Sequence, residues 1–143
     1  MIEVVSNSPD ETTTLGKQIA SHLTKGSVVT FTGTLGSGKT YLAKGIAAGL
    51  GITDNLTSPT YTIINEYPRS GHPTLYHIDA YRLNNDKEFE DIGGVDIVHS
   101  DGICLIEWSE RIPKSLPLHV ISIGLEISGD FSRLIKIDGI EKL

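Results

Sequence analysis

The residues with the clearest chemical meaning are positions 33–40, which read GTLGSGKT. They match the spacing G-x-x-x-x-G-K-[ST] of a phosphate-binding loop. Glycines let backbone amides approach phosphate oxygens, and a following helix points the positive end of its dipole at the same anion. The spacing predicts that the Lys39 ammonium neutralises phosphate oxygens and that the Thr40 hydroxyl holds Mg²⁺. We therefore predict a nucleoside triphosphate site that includes Leu35, Gly36, Ser37, Gly38, Lys39, Thr40 and Tyr41.

Two carboxylates stand where a phosphate-loop enzyme needs a metal ligand and a group that polarises water. Asp79 follows the apolar-flanked stretch LYHI, and Glu107 follows the apolar run ICLI. A carboxylate at the end of a buried strand points towards the crevice in which open α/β sheets bind ligands. On these residues alone, a turn role for Asp79 and a solvated strand end for Glu107 stay open.

A hydroxyl-rich segment, Thr57, Ser58, Pro59 and Thr60, follows the predicted phosphate-loop helix. Such a loop can become ordered on a γ-phosphate and Mg²⁺ and relax when they leave, although an ordinary turn fits the same letters. His77 alternates with Tyr76 and Ile78, which favours a histidine on a strand face, and His99 and His119 do not have the spacing of a metal site. The absence of an Asn-Lys-x-Asp guanine reader favours ATP.

Alternating helical and strand patterns surround these residues. Ser8, Pro9 and Glu11 form a capping-box pattern, and Leu15, Ile19 and Leu23 then recur on one helical face as far as Lys25-Gly26. A strand over 27–32 leads into the loop, a helix over 39–50 leaves it, and strands are expected over 2–5, 61–67, 74–78 and 103–106. Residues 86–91 predict a short helix ended by Gly93-Gly94, and 118–127 with 131–137 predict a hairpin. The expected fold is an α/β, single P-loop NTPase-like domain over residues 1–143, with a mixed β-sheet flanked by helices and a C-terminal β-hairpin.

Composition narrows the class of protein. The 143 residues carry a formal net charge of −6, which is unfavourable for autonomous binding to DNA or RNA. No apolar run is long enough for a membrane span, no secretory signal is recognisable, and the single Cys104 has no partner for a disulfide. A soluble, cytoplasmic protein is expected.

Five motifs in order resemble the bacterial TsaE proteins, which are ATPases of tRNA threonylcarbamoyladenosine biosynthesis. They are Glu11-Thr12 with Leu15-Gly16, then residues 35–40, the stretch TSPTY at 57–61, YHIDAYRL at 76–83, and Ile106-Glu107-Trp108. The resemblance runs from about residue 8 to 112. One departure is Thr34, where many members of the family carry Asp or Glu.

The resemblance implies a Mg²⁺-dependent P-loop ATPase that acts with TsaB and TsaD to reset or drive the complex that modifies tRNA. By position, Thr40, Asp79 and Glu107 match residues associated with Mg²⁺ or catalysis, together with Lys39, and Thr12 corresponds to the segment near the adenine. The partners would be TsaD and TsaB, with tRNA contacted only through the complex and neither DNA nor a membrane involved. The alternative is a small P-loop kinase that phosphorylates a metabolite, although Arg82, Arg111 and Arg133 are too scattered to predict its usual Arg-bearing lid.

Overall fold

The computed structural model describes residues 1–34, 37–53, 56 and 62–143. Within these ranges, seven strands are hydrogen-bonded in the order β1-β7-β6-β2-β5-β4-β3, and four α-helices accompany them. Antiparallel pairs (β1 with β7, β6 with β7, β3 with β4) and a parallel pair (β4 with β5) make the sheet mixed. The elements are β1 Ile2–Ser6, α1 Pro9–Ala20, β2 Val28–Gly33, α2 Lys39–Gly49, β3 Ile64–Arg69, β4 His72–Asp79, α3 Asp86–Asp91, α4 Gly94–Val98, β5 Ile103–Glu107, β6 Ile121–Ile127 and β7 Arg133–Asp138. The predicted α/β class with a mixed sheet is confirmed.

The chain forms two compact units. The first comprises Met1–Leu23, Phe31–Thr57 and Ser122–Leu143, and the second comprises Thr24–Thr30 and Ser58–Ile121. That residues 1–143 act as a single domain stays a prediction. In the part of the chain that the structure describes, no helix is both long enough and apolar enough to cross a membrane.

The first unit holds α1, α2 and the antiparallel strands β1, β7 and β6. Ser8 caps α1 as predicted, because its Oγ accepts the Glu11 N–H at 3.1 Å. The Glu11 carboxylate reaches the Asn7 N–H at 2.6 Å, one residue before the cap. The consecutive strands β6 and β7 pair antiparallel, which confirms the C-terminal hairpin. Buried side chains of this unit include Leu15, Ile19, Leu42, Ile46, Ile123, Leu125, Ile135 and Ile137.

Glycines bring α1 and α2 into close contact within the first unit. A Cβ added at Gly16 would lie 2.6 Å from the Leu42 backbone oxygen and 2.8 Å from both Gly45 Cα and Ile46 N. A Cβ at Gly45 would in turn collide with the Thr13 backbone. The two helix backbones therefore approach more closely than any side chain at these positions would allow.

The second unit is built on β3, β4 and β5 with the two short helices α3 and α4. Strands β4 and β5 run parallel, and Asp79 at the end of β4 is the register partner of Glu107 at the end of β5. One hydrophobic cluster fills this unit, and it consists of Val28, Ile78, Ala80, Leu83, Phe89, Val98, Cys104, Ile106 and Ile112.

Several boundaries differ from those expected from sequence. Helix α1 ends at Ala20 rather than near Lys25, because the Ser21 Oγ and N–H both bond to the Gln18 carbonyl and tighten the last turn. Strand β4 begins at His72, so the predicted turn shortens to Ser70 and Gly71. Helix α4 was missed, since Gly93 does not only end α3 but, with φ at 83°, also precedes α4.

Candidate functional site

The predicted phosphate loop lies between a strand and a helix, as its motif requires. Strand β2 ends at Gly33 and α2 begins at Lys39. Gly38, which precedes the helix, has φ at 101°, a conformation that glycine adopts without strain. A Cβ at Gly33 would lie 2.7 Å from the Leu125 carbonyl oxygen, so this position also requires glycine. Leu35 and Gly36 lie outside the described residues.

Ser37 gives the loop an unusual feature. Its side chain is completely buried, and among the described residues its Oγ has no hydrogen-bond partner. Its backbone N–H donates to the Thr34 carbonyl at 3.1 Å. Buried hydroxyls in folded proteins almost always have a partner, and an exception points to a water, ion or ligand at the site. The orphaned oxygen therefore fits a loop that holds a polar ligand.

The first turn of α2 carries the two side chains assigned to phosphate and metal. Lys39 is half-buried, whereas Thr40 and Tyr41 are exposed. The helical hydrogen bond closest to this end joins the Leu42 N–H to the Gly38 carbonyl at 3.1 Å. In any α-helix the N–H groups ahead of that bond have no acceptor within the helix, and they favour an anion.

A cavity of about 130 Å³ adjoins this helix start within the first unit. Its lining includes three predicted nucleotide-binding residues, Thr12, Gly38 and Tyr41. The Thr12 hydroxyl is hydrogen-bonded to Ser6 Oγ at 2.6 Å. The Thr12 methyl group faces Gly38, because a Cβ added at Gly38 would lie 3.9 Å from it. Thr12 therefore offers the cavity an apolar wall rather than a free hydroxyl. The remaining lining residues are Ser8, Pro9, Asp130, Phe131 and Arg133.

The part of the cavity that belongs to the hairpin was not anticipated. Asp130 and Phe131 lie in the β6–β7 connection and Arg133 begins β7. Phe131 is 82% exposed. An aromatic ring that is exposed beside a cavity can stack on a planar ligand. The sequence predicts the hairpin, but it does not reveal which helix lies beside the turn of that hairpin.

The two predicted carboxylates occupy adjacent strand ends in the second unit. One oxygen of each is already engaged: Asp79 Oδ1 accepts the Tyr81 N–H at 3.0 Å, and Glu107 Oε2 lies 3.0 Å from His77 Nε2. The Glu107 side chain is 16% exposed. The structure thus brings Asp79 and Glu107 side by side, with His77 behind Glu107.

Among the described residues, two that are not glycine have a positive φ, and both adjoin these carboxylates. Ile63 has φ at 64°, and its carbonyl accepts the Asp79 N–H at 2.8 Å. Trp108 has φ at 60° and follows Glu107 directly. Such a backbone conformation is unfavourable for a β-branched or bulky residue, and strained residues concentrate at functional sites.

An aromatic and cationic group surrounds the strand ends. The Tyr81 and Trp108 ring centroids are 4.9 Å apart, and the Arg111 guanidinium carbon lies 5.5 Å and 5.9 Å from them. These distances are in the range of aromatic and cation–π contacts. The group holds Trp108 and therefore the chain that follows Glu107.

The described residues contain no metal site made of protein groups alone. Across the described residues, no three His, Cys, Asp or Glu side chains form a group that could hold a metal ion. Mg²⁺ in nucleotide enzymes is typically held by one or two carboxylates together with phosphates and water, and the predicted ligands Thr40, Asp79 and Glu107 are all oxygen donors of this kind. The predicted switch residues Thr57, Ser58, Pro59 and Thr60 lie outside the described residues.

The structure is that of an α/β protein in which a strand ending at Gly33 and a helix beginning at Lys39 flank the predicted phosphate loop. A family model described as "Threonylcarbamoyl adenosine biosynthesis protein TsaE" matches residues 6–135, and the chain therefore belongs to the TsaE family. This confirms the family that the motifs predicted.

Individual relatives agree. The chain is 42% identical over 133 residues to the tRNA threonylcarbamoyladenosine biosynthesis protein TsaE of Treponema pallidum. The aligned region covers 93% of this chain and 97% of that relative. The chain is 43% identical to the Bacillus subtilis protein of the same name, over 88% of this chain and 78% of the relative. The crystal structure of YdiB from Bacillus subtilis matches with a TM-score of 0.77 and 36% identity, over 95% of this chain and 83% of that one.

Proposed function

We propose that this protein is a Mg²⁺-dependent ATPase that serves the threonylcarbamoyladenosine modification of tRNA. The observation that carries the nucleotide assignment is the junction at residues 33–40. It requires glycine at both ends and adjoins a cavity next to the start of α2. It also contains a buried Ser37 hydroxyl that has no hydrogen-bond partner among the described residues. Membership of the TsaE family supports the assignment to tRNA modification.

The nucleotide would be held mainly by the first unit. Backbone amides at the start of α2 and the Lys39 ammonium would bind phosphate oxygens, and the Thr40 hydroxyl would hold Mg²⁺. The cavity beside Gly38 would take the planar base, with the Thr12 methyl and Tyr41 as walls and the Phe131 ring exposed beside it. Bound Mg²⁺ would neutralise charge that develops on the phosphates.

Two carboxylates would assist hydrolysis. Asp79 would support the metal and Glu107 would polarise the attacking water, as their strand-end positions and partly engaged oxygens permit. Residues 57–60 would form a loop that responds to the γ-phosphate. All of these roles are proposals.

Partner proteins would do the RNA chemistry. We propose TsaB and TsaD as these partners, with ATP hydrolysis resetting or driving the complex in the cytoplasm. A net charge of −6 agrees with a subunit that does not hold tRNA by itself. A kinase would instead transfer phosphate to a small acceptor, so the product of the reaction separates the two functions.

The test begins with Lys39→Ala and the matched control Lys44→Ala, an exposed lysine on the same helix. Calorimetry with ATP and Mg²⁺ should show binding by the wild type and the control but not by Lys39→Ala. Phosphate release, measured with and without TsaB and TsaD, should be stimulated by the partners. Unchanged ATP affinity of Lys39→Ala would refute the phosphate-loop assignment, and phosphate found on a small acceptor would favour the kinase.

A further inference from the structure

The buried His77 and the partly buried Glu107 form a pair that the proposed mechanism has not yet used. His77 lies on β4, its residue is 4% exposed, and its Nε2 is 3.0 Å from Glu107 Oε2. In the parallel register His77 stands beside Leu105, two residues before Glu107, so both side chains project from the same face of the sheet. The imidazole therefore reaches along this face to the strand end.

The chemistry of the pair settles the direction of the hydrogen bond. An ionised carboxylate only accepts, so His77 Nε2 must carry the proton and donate it to Glu107 Oε2. The other ring nitrogen, Nδ1, is buried and has no partner among the described residues. Among the described residues the ring thus makes a single polar contact, and that contact is with the residue proposed to polarise water.

We infer that His77 is a positioning residue for Glu107, an inference that rests on the proposed ATPase function. By holding Oε2, His77 would fix the rotation of the carboxylate and leave Oε1 as the oxygen that polarises water. The main chain restrains the same residue, because the Glu107 carbonyl accepts the Ala80 N–H at 3.0 Å and Trp108 follows in a left-handed conformation. A carboxylate held at one oxygen loses less orientational freedom when the reaction requires a defined geometry.

The first experiment needs no nucleotide. Long-range ¹H–¹⁵N spectra of the wild-type protein distinguish a protonated from a bare ring nitrogen, and they should show the proton of His77 on Nε2. In Glu107→Ala, which removes the acceptor, this preference should weaken. A His77 ring with its proton on Nδ1 alone would overturn the inference, because Nε2 could then not donate to the carboxylate.

The second experiment compares three variants in the complete assembly with TsaB and TsaD. His77→Leu removes the donor, His77→Gln restores an amide donor near the position of Nε2, and His72→Gln makes the same change at an exposed position on the same strand. We expect His77→Leu to lower kcat by about 10- to 100-fold while the KM for ATP changes little. His77→Gln should recover most of that loss, and His72→Gln should match the wild type.

The outcomes separate this inference from the function on which it rests. A wild type that does not hydrolyse ATP in the assembly would refute the proposed ATPase, and the positioning role with it. An active wild type matched by a folded His77→Leu would overturn the positioning role alone. If His77→Leu fails to fold, His77→Gln decides: activity near that of the wild type supports the donor role, and a folded His77→Gln as impaired as Glu107→Ala contradicts it.

Discussion

The close contact between α1 and α2 predicts that Gly16→Ala changes the stability of the protein in the direction opposite to that expected from helix propensity. Alanine is a better helix former than glycine by about 1 kcal/mol, so Gly16→Ala would stabilise an isolated α1. In the protein the new Cβ would lie 2.6 Å from the Leu42 carbonyl oxygen, about 0.8 Å short of the 3.4 Å at which ordinary contact begins. All three of its nearest atoms belong to the α2 backbone, so no side chain can move aside to make room.

The expected result is therefore a loss of stability. Overpacking in a tight contact costs about 1–3 kcal/mol, and the large shift required here places the net loss at about 1–2 kcal/mol after the gain in propensity. For a chain of this length the melting temperature should fall by about 3–8 °C. Thr12, four residues before Gly16, lines the cavity beside Gly38, so a displaced α1 should also weaken ATP binding several-fold.

Thermal unfolding and calorimetry with ATP and Mg²⁺ test this prediction together. The control is Ala48→Gly, an exposed position on α2 at which only helix propensity changes. It should lower the free energy of unfolding by about 1 kcal/mol without affecting ATP binding. A Gly16→Ala protein that melts at or above the wild-type temperature would refute the steric reasoning. A lower melting temperature with unchanged ATP affinity would refute the link between helix contact and cavity.

Other predictions concern the second unit. Glu107→Ala should bind ATP but lower turnover by about 100-fold or more, whereas Glu110→Ala, an exposed neighbour, should behave as the wild type; full activity of Glu107→Ala would make Glu107 structural. Burial raises the pKa of Cys104 to about 12, so at pH 8 a thiol reagent should label the folded chain about 1,000-fold more slowly than the chain in urea. The raised pKa also predicts that the free energy of unfolding falls as pH rises above 9, because the thiol of the unfolded chain then loses its proton while the thiol of the folded chain keeps it. Urea titrations at several pH values should show this fall in the wild type and a smaller fall in Cys104→Ser.

Local signals in the sequence predicted much of the fold. The Ser8 cap, the glycine turn before Lys39 and the apolar run before Glu107 depend on neighbours within a few residues, and the structure contains all three. Helix α4 was missed because Gly93 and Gly94 are typical of an end, whereas here Gly93 closes one helix and precedes another.

The candidate site could be predicted only where a sequence motif also implies the secondary structure around it. The motif at residues 33–40 implies its strand and its helix, and the strand ends of Asp79 and Glu107 follow from apolar runs. The His77–Glu107 hydrogen bond joins residues 30 positions apart and requires the register of two parallel strands. Periodicity along a single strand carries no information on that register, so His77 was interpreted only as a histidine on a strand face.

The pairing of β1 with β7 has a consequence for how the protein is made. The cavity beside Gly38 needs Ser8 from one side and Arg133 from the other, and β1 pairs with β7 along its whole length. A nascent chain that has released α1 and α2 from the ribosome still lacks the hairpin that completes this pocket. The proposed nucleotide site should therefore become complete only once β7 has left the ribosome, however early the two helices fold.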